Sequence, residues 1–142
     1  MPSGNVTVTA VFKKTLHYAD ADGNDLICSD YVPLDEVSEN TLDAKWYALT
    51  NDIESNSRLV VSGNVNLILC DGVTLTLPKG ITVNKGDSLT IWGQEGSSGT
   101  LKITNPDSSD AGIGGSVSAG GTITINGGTL DVRGGARAAG NR

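Results

Sequence analysis

From Arg58 onward the chain repeats itself in threes, and this periodicity limits the available folds more than any other feature. RLVVSG, NVNLILCDG and VTLTLPKG form one set. ITVNKG, DSLTIWG and TLKITN form a second, and AGIGG, GTITINGG and TLDVRGG a third. Each segment is a short run rich in aliphatic and β-branched residues closed by Gly, Asn or Asp, the composition of a strand followed by a tight turn. Leu59 to Ile81 spans 22 positions, a suitable length for one coil of a parallel β-helix. The expected interior columns are Leu67 and Leu69 over Leu89 and Ile91, then Ile123 and Ile125; Leu75 and Leu77 over Leu101 and Ile103, then Leu130 and Val132; and Val61 over Val83, then Ile113. Apolar residues stacked in register are what a solenoid needs, since each coil buries its face only against its neighbours. The longer loops QEGSSG and PDSSD fit as insertions between stacked strands. A flat sandwich would explain the strands but not their grouping in threes. The expected fold is all-β: a right-handed parallel β-helix (solenoid) of about three to four coils, with an N-terminal β strand and hairpin packed on one flank.

Upstream, GNVTVTAVFKK (4–14) alternates, with Val6, Val8, Ala10 and Phe12 on one face, as in a half-buried strand. Leu16-His17-Tyr18 and Leu26-Ile27-Cys28 flank the polar turn DADGND and read as a hairpin. Residues 33–45 are polar and read as a connector with at most one helical turn around Asp35 to Ser38; KWYALT (45–50) is strand-like. The expected divisions are a tail strand of an upstream module (1–14), a hairpin, connector and first strand (15–57), and the Gly-rich coils (58–142). Alternation turns Ile68, Cys70 and Trp92 outward on one flank. A row of exposed apolar residues calls for a cover, and the N-terminal strand and hairpin are the natural one. The count of two cysteines suits one disulfide or two buried thiols equally. The expected cover carries Cys28 onto the flank of Cys70, which favours a Cys28–Cys70 bond.

The net charge of -6 and the ten Lys and Arg in 142 residues argue against nucleic acid and anionic membrane surfaces, which need clustered cations. No apolar run is long enough to span a bilayer, and residues 1–20 lack a secretory h-region. Met1-Pro2-Ser3-Gly4 reads as the start of a segment cut from a longer, exported parent. ARAAG (136–140) opens like AGIGG and then stops, which predicts a raw coil edge and a homodimer through it.

Among candidate sites, Asp20, Asp22 and Asn24 alternate as in a Ca²⁺ loop. However, Gly stands at the fourth position, not the sixth, and Tyr31 occupies the twelfth where a Glu is needed; a polar hairpin turn is the preferred reading, with no cofactor. Carbohydrate contact would use an aromatic with polar neighbours. Trp92 with Gln94 and Glu95 on the inserted loop is the best candidate, against the reading of Trp92 as a residue covered by the N-terminal segment. Tyr18, Trp46 and the other aromatics read as packing at that junction. A polysaccharide-cleaving enzyme would need clustered carboxylates on one face, but the coil strands offer only Asp131 and Arg133, with Asp71 and Asp87 at turns. His17 lies outside the coils with no nucleophile marked beside it, so no catalytic residue is assigned. Thr74/Thr76 and Thr122/Thr124, with Thr90 and Thr100, resemble the threonine rows of ice-binding faces, although Thr is also simply a good strand residue.

GNVTVTAVFKK resembles the last strand of an internalin-type B repeat (the Listeria–Bacteroides repeat). The stretch from Arg58 to Gly135, with VSGNVNLILCDG, KGITVNKGDSLTIWGQ, AGIGG and GGTITINGGTLDVRGG, resembles the Gly-rich β-helix region of large cell-surface, adhesin-like proteins of gut bacteria. The resemblance implies a secreted or cell-surface protein associated with polysaccharide or host glycans and with neighbouring domains of a parent chain, and it brings no catalytic residues. The expected function is a non-catalytic structural or display segment with weak glycan contact. The alternatives are a dedicated carbohydrate-binding module and, further off, part of a polysaccharide-degrading β-helix enzyme or an ice-binding surface.

Overall fold

A computed structural model describes residues 15–37, 40–104, 113–114 and 120–132. The chain is all-β. Strands β1 (Leu16–Ala19) and β2 (Asp25–Cys28) form an antiparallel hairpin, with Leu16 opposite Cys28 and Ala19 opposite Asp25. After β3 (Val32–Pro33) and a 3₁₀ turn (Leu34–Glu36), the strands come in threes: β4 (Thr41–Leu42), β5 (Trp46–Leu49), β6 (Ile53–Glu54); β7 (Leu59–Val61), β8 (Asn64–Leu69), β9 (Thr74–Thr76); β10 (Ile81–Val83), β11 (Ser88–Trp92), β12 (Thr100–Ile103); β13 (Ile113–Gly114), β14 (Thr122–Ile125), β15 (Thr129–Val132). Members of each trio enter three different parallel sheets, ordered β13-β10-β7-β4, β14-β11-β8-β5-β3 and β15-β12-β9-β6. No helix among the described residues is long and apolar enough to cross a membrane. The strand expected over 4–14, the turn residue Ser38, the PDSSD loop, Arg133 and the terminal ARAAG lie outside the described residues.

The apolar columns face a common interior. Leu42, Val61 and Val83 are successive partners in one sheet; Tyr47, Leu67, Ile91 and Ile125 in the second; Ile53, Leu75, Leu101 and Leu130 in the third. Most of these belong to one core cluster, in which Leu67, Leu75, Leu89, Ile91, Leu101 and Ile103 are fully buried. Each such side chain contributes roughly 1.5–3 kcal/mol, so the core is spread along the whole stack. Tyr47 is the one polar-tipped member, and its hydroxyl accepts a 2.9 Å hydrogen bond from the Asp43 amide. On the outer face of the first sheet, the Arg58 guanidinium donates to Thr82 Oγ1, Lys79 O and Ile81 O, which satisfies the buried threonine.

The register confirms part of the sequence reading and corrects part. Ile81 pairs with Leu59, and Leu101 with both Leu75 and Leu130, as the period predicts. Leu89, however, pairs with Val65 and Ile91 with Leu67, so the expected stacking of Leu67 on Leu89 is out by two residues. The cause is turn length: two residues, Ser62 and Gly63, join β7 to β8, whereas four, Asn84 to Asp87, join β10 to β11. The longer turn is a tight one with Gly86 at φ 96° and the Asp87 amide bonded to Asn84 O, the conformation that favours Gly at its third position. Likewise Ile113 lies over Ile81, not Val83. The expected connector and first strand (15–57) also contribute a full trio, β4 to β6, so full trios begin at Thr41 and not at Arg58, with β3 already stacked on β5.

Candidate functional site

The outer face of the five-stranded sheet carries Ala48, Ile68, Trp46 and Trp92, and the hairpin lies over it. Cys28, Ala48 and Ile68 form a second buried cluster, with Leu16, Tyr18, Tyr31, Trp46 and Trp92 packed around it. Trp46 and Trp92 stack at a centroid distance of 5.7 Å, and Tyr18 meets them at 5.2 and 5.1 Å. The Trp92 indole N–H donates to Asn66 Oδ1 at 3.1 Å. Burial raises the Tyr18 phenol above its ordinary pKa, with the nearby Cys28 and Asp20 adding to the effect. The hairpin part of the expected cover is therefore present, and Trp92 belongs to the seam between hairpin and sheet.

Two polar stitches close the seam. The Ala19 amide donates to Gly93 O at 2.9 Å, and Gln94 Nε2 donates to His17 O at 2.9 Å. Gln94 Oε1 accepts from the Asp71 amide at 2.7 Å, so one amide side chain ties the hairpin to two successive rounds. Asp71 fixes the loop after Trp92 in turn: its two oxygens accept the amides of Gly96 and Ser98 at 2.9 and 3.0 Å. A short side chain accepting two backbone N–H groups is an efficient way to hold an irregular loop.

Between this loop and the hairpin lies a half-open cleft of about 490 Å³, lined by His17, Tyr18, Ala19, Gly23, Asp25, Asp71, Gln94 and Glu95. His17 Nδ1 is 3.1 Å from one Asp25 oxygen and 3.2 Å from the other. A carboxylate can only accept, so Nδ1 carries the proton and Nε2 is left for another partner. Both side chains are largely exposed, at 66% and 71%. Of the three ligand-contact candidates, Gln94 and Glu95 line the cleft, while Trp92 lies among the aromatic residues of the seam. The sequence reading placed His17 on the hairpin surface, where it is, but missed its pairing with Asp25. The pair faces across β1 and β2 as neighbours of the His17–Ile27 and Ala19–Asp25 register, and hairpin alternation was the available signal.

The Ca²⁺ alternative gains no support, and the disulfide expectation is corrected. Asp20 does not hold its carboxylate ready for Ca²⁺. Its Oδ1 accepts the amides of Asp22 and Asn24, both at 2.9 Å, and its Oδ2 accepts Asn24 Nδ2 at 3.0 Å. These bonds, the Asn24 side chain first, hold the carboxyl below its ordinary pKa. Asp20, Asp22 and Asn24 thus form the polar hairpin turn that was the preferred reading, and no group of three His, Cys, Asp or Glu gathers as a metal would require among the described residues. The Cys28–Cys70 disulfide is not formed: both thiols are free and buried. Cys28 packs on Ala48 and Ile68 and directs its S–H toward Asp30 O at 3.6 Å, in a cluster that does not include Cys70. Cys70 follows Ile68 by two residues, about 6.6 Å along a strand, so a thiol packed on Ala48 and Ile68 is offset from it along the sheet. Burial, with the adjacent Asp71, pushes the Cys70 thiol up to about 11.

Comparison with protein-family models, curated proteins and solved structures gave no match.

Proposed function

We propose that this chain is a non-catalytic display module of a secreted, cell-surface bacterial protein, built as a right-handed β-solenoid, that touches glycan through the cleft between its hairpin and its coils. The observation that carries the reading is how the polar and aromatic side chains are used. Asp71, Gln94, Asn66 and Asp20 are engaged in holding loops and the hairpin to the stack, and Trp46 and Trp92 in packing it. What is left facing solvent in the cleft is His17 Nε2, one edge of Asp25 and the Glu95 carboxylate, groups that hydrogen-bond hydroxyls. A half-open cleft with these few polar groups suits transient contact with a sugar unit, while parallel rounds around a continuous core supply a stiff spacer. The resemblance of the Gly-rich coils to adhesin-like surface proteins points the same way, with neighbouring domains of a parent chain as the structural partners.

The cleft itself favours a second reading, a dedicated carbohydrate-binding module, which differs in making recognition the main task and not the spacing. Incubating the protein with plant, host and bacterial cell-wall polysaccharides separates the readings. A display module is retained weakly on some of them and releases no reducing ends. Tight, saturable retention by one polysaccharide selects the binding module, and release of reducing ends by the purified chain overturns both.

A further inference from the structure

Granted glycan contact at the cleft between hairpin and coils, on which this rests, we propose that the cleft selects sugars with free amino groups. Polymers of de-N-acetylated glucosamine are the class it fits, over neutral and uronate-bearing glycans. The charge of the lining carries the choice. Asp25, Asp71 and Glu95 place three carboxylates around about 490 Å³. Among the described residues no Lys or Arg lines the cleft, and His17 is the one side chain there able to become a cation. His17 Nδ1 is already committed to Asp25 at 3.1 Å, so any charge it gains answers that carboxylate first. The Asp71 oxygens accept the Gly96 and Ser98 amides, which satisfies lone pairs but leaves the charge in place. Glu95 is exposed, and among the described residues no hydrogen bond or ion pair engages it. The net charge of the chain, -6, acts in the same sense.

Such a lining treats the classes of sugar differently. A hydroxyl can donate to any of these acceptors, so neutral sugars make the weak contact already described. A uronate brings a further anion to a place with no Lys or Arg to receive it, and like charges repel. A primary ammonium offers three donors and the opposite charge, and N-acetylation removes the charge and two of the donors. An exposed ion pair is worth up to about fivefold in affinity. Ammonium groups meeting Glu95 and the free edge of Asp25 therefore give a glucosamine oligomer an advantage of about three- to tenfold over its N-acetylated counterpart.

Magnetic resonance titration of the full chain tests this, following the Gly23 and Glu95 amides and the His17 ring at a pH where the sugar amines are charged. The probes are the tetramers of glucosamine, N-acetylglucosamine and galacturonic acid, with tetralysine as a cation that is not a sugar. The expected order at low salt is glucosamine, then N-acetylglucosamine, with galacturonate weakest, and the preference shrinks in about 1 M salt, where charges are screened beyond ~3 Å. Glu95→Gln narrows the gap between the first two, whereas Glu54→Gln, an exposed carboxylate on β6, leaves it unchanged. Glucosamine binding no tighter than N-acetylglucosamine or galacturonate overturns the amine preference and leaves glycan contact standing. Tetralysine binding as tightly as the glucosamine tetramer overturns it too, making the cleft a general cation surface. No shift with any of the sugars overturns glycan contact itself, and the preference with it.

Discussion

Replacing Gly99 by Ala tests whether successive rounds approach as closely as the register requires. Gly99 lies before β12, and its φ is outside the left-handed region, so the cost of the substitution lies in contact. A methyl group there would meet the backbone of the round below, striking Cys70 O and lying 2.7 Å from both the carbonyl carbon and the oxygen of Leu69. Neither side can easily yield. The Thr100 amide donates to Val73 O at 2.9 Å, and Gly99 O accepts from the Thr129 amide at 2.8 Å, so Gly99 is fastened to the rounds on both sides. Overpacking of this kind costs about 1–3 kcal/mol, and loosening one of these hydrogen bonds adds about 1 kcal/mol. The sum, about 2–4 kcal/mol, lowers the urea midpoint by about 1–2 M if the slope is ~2 kcal/mol/M. Gly72→Ala is the control: Gly72 has φ 81° with nothing within 4 Å of an added methyl, so it pays only the left-handed strain, about 1–2 kcal/mol. Urea unfolding followed by tryptophan fluorescence should rank Gly99→Ala below Gly72→Ala. Equal midpoints, or the reverse order, would refute the close approach of the two rounds.

Other expectations follow from the seam. Trp92→Ala removes the stack on Trp46, the contact with Tyr18 and the bond to Asn66; a loss of about 2–3 kcal/mol should appear in thermal unfolding, with faster amide exchange in β1 and β2. Asp71→Ala leaves the Gly96 and Ser98 amides without their acceptor and should cost about 1–3 kcal/mol, with the 94–99 loop becoming a site of limited proteolysis. The Cys70 thiol, raised to about 11 from 9.0, should resist alkylation in the native state at pH 8 and react on unfolding. Because the folded pKa lies above the unfolded one, the unfolded chain gives up this proton first. Stability should therefore be full below pH 9 and fall between pH 9 and 11, an effect that Cys70→Ala removes from the pH dependence of the urea midpoint.

The three-strand period, the hairpin and the covered flank were legible because each is written in local alternation: Leu67 and Leu69 inward, Ile68 and Trp92 outward, DADGND between two apolar runs. Register was less legible. NVNLIL offers three inward positions, Val65, Leu67 and Leu69, and pattern alone cannot say which two lie under Leu89 and Ile91; the extra two residues of the Asn84–Asp87 turn decide it. Of the first trio only β5 is legible, in the strand-like KWYALT, because β4 and β6 are only two residues each, too short to show alternation. The cleft was half legible. Gln94 and Glu95 stood out as polar residues beside an aromatic, but His17 and Asp25 reach them only because the hairpin is stitched to Gly93, a contact between residues more than seventy positions apart that no local pattern encodes. The disulfide failed for a related reason: sequence places Cys28 on the correct flank but not at the correct height along β8.

The most direct test of the account is nuclear magnetic resonance of the labelled chain titrated with xylo-, cello- and N-acetylglucosamine oligomers, following the Gly23 and Glu95 amides, the His17 ring and the Gln94 side-chain amide together with the two indole N–H signals. The account predicts that at least one series moves the cleft signals with weak, fast-exchange behaviour, that Glu95→Gln diminishes the shifts, and that the Trp46 and Trp92 indoles stay where they are. Shifts centred on the indoles, or no shift with any oligomer, would contradict glycan contact through this cleft.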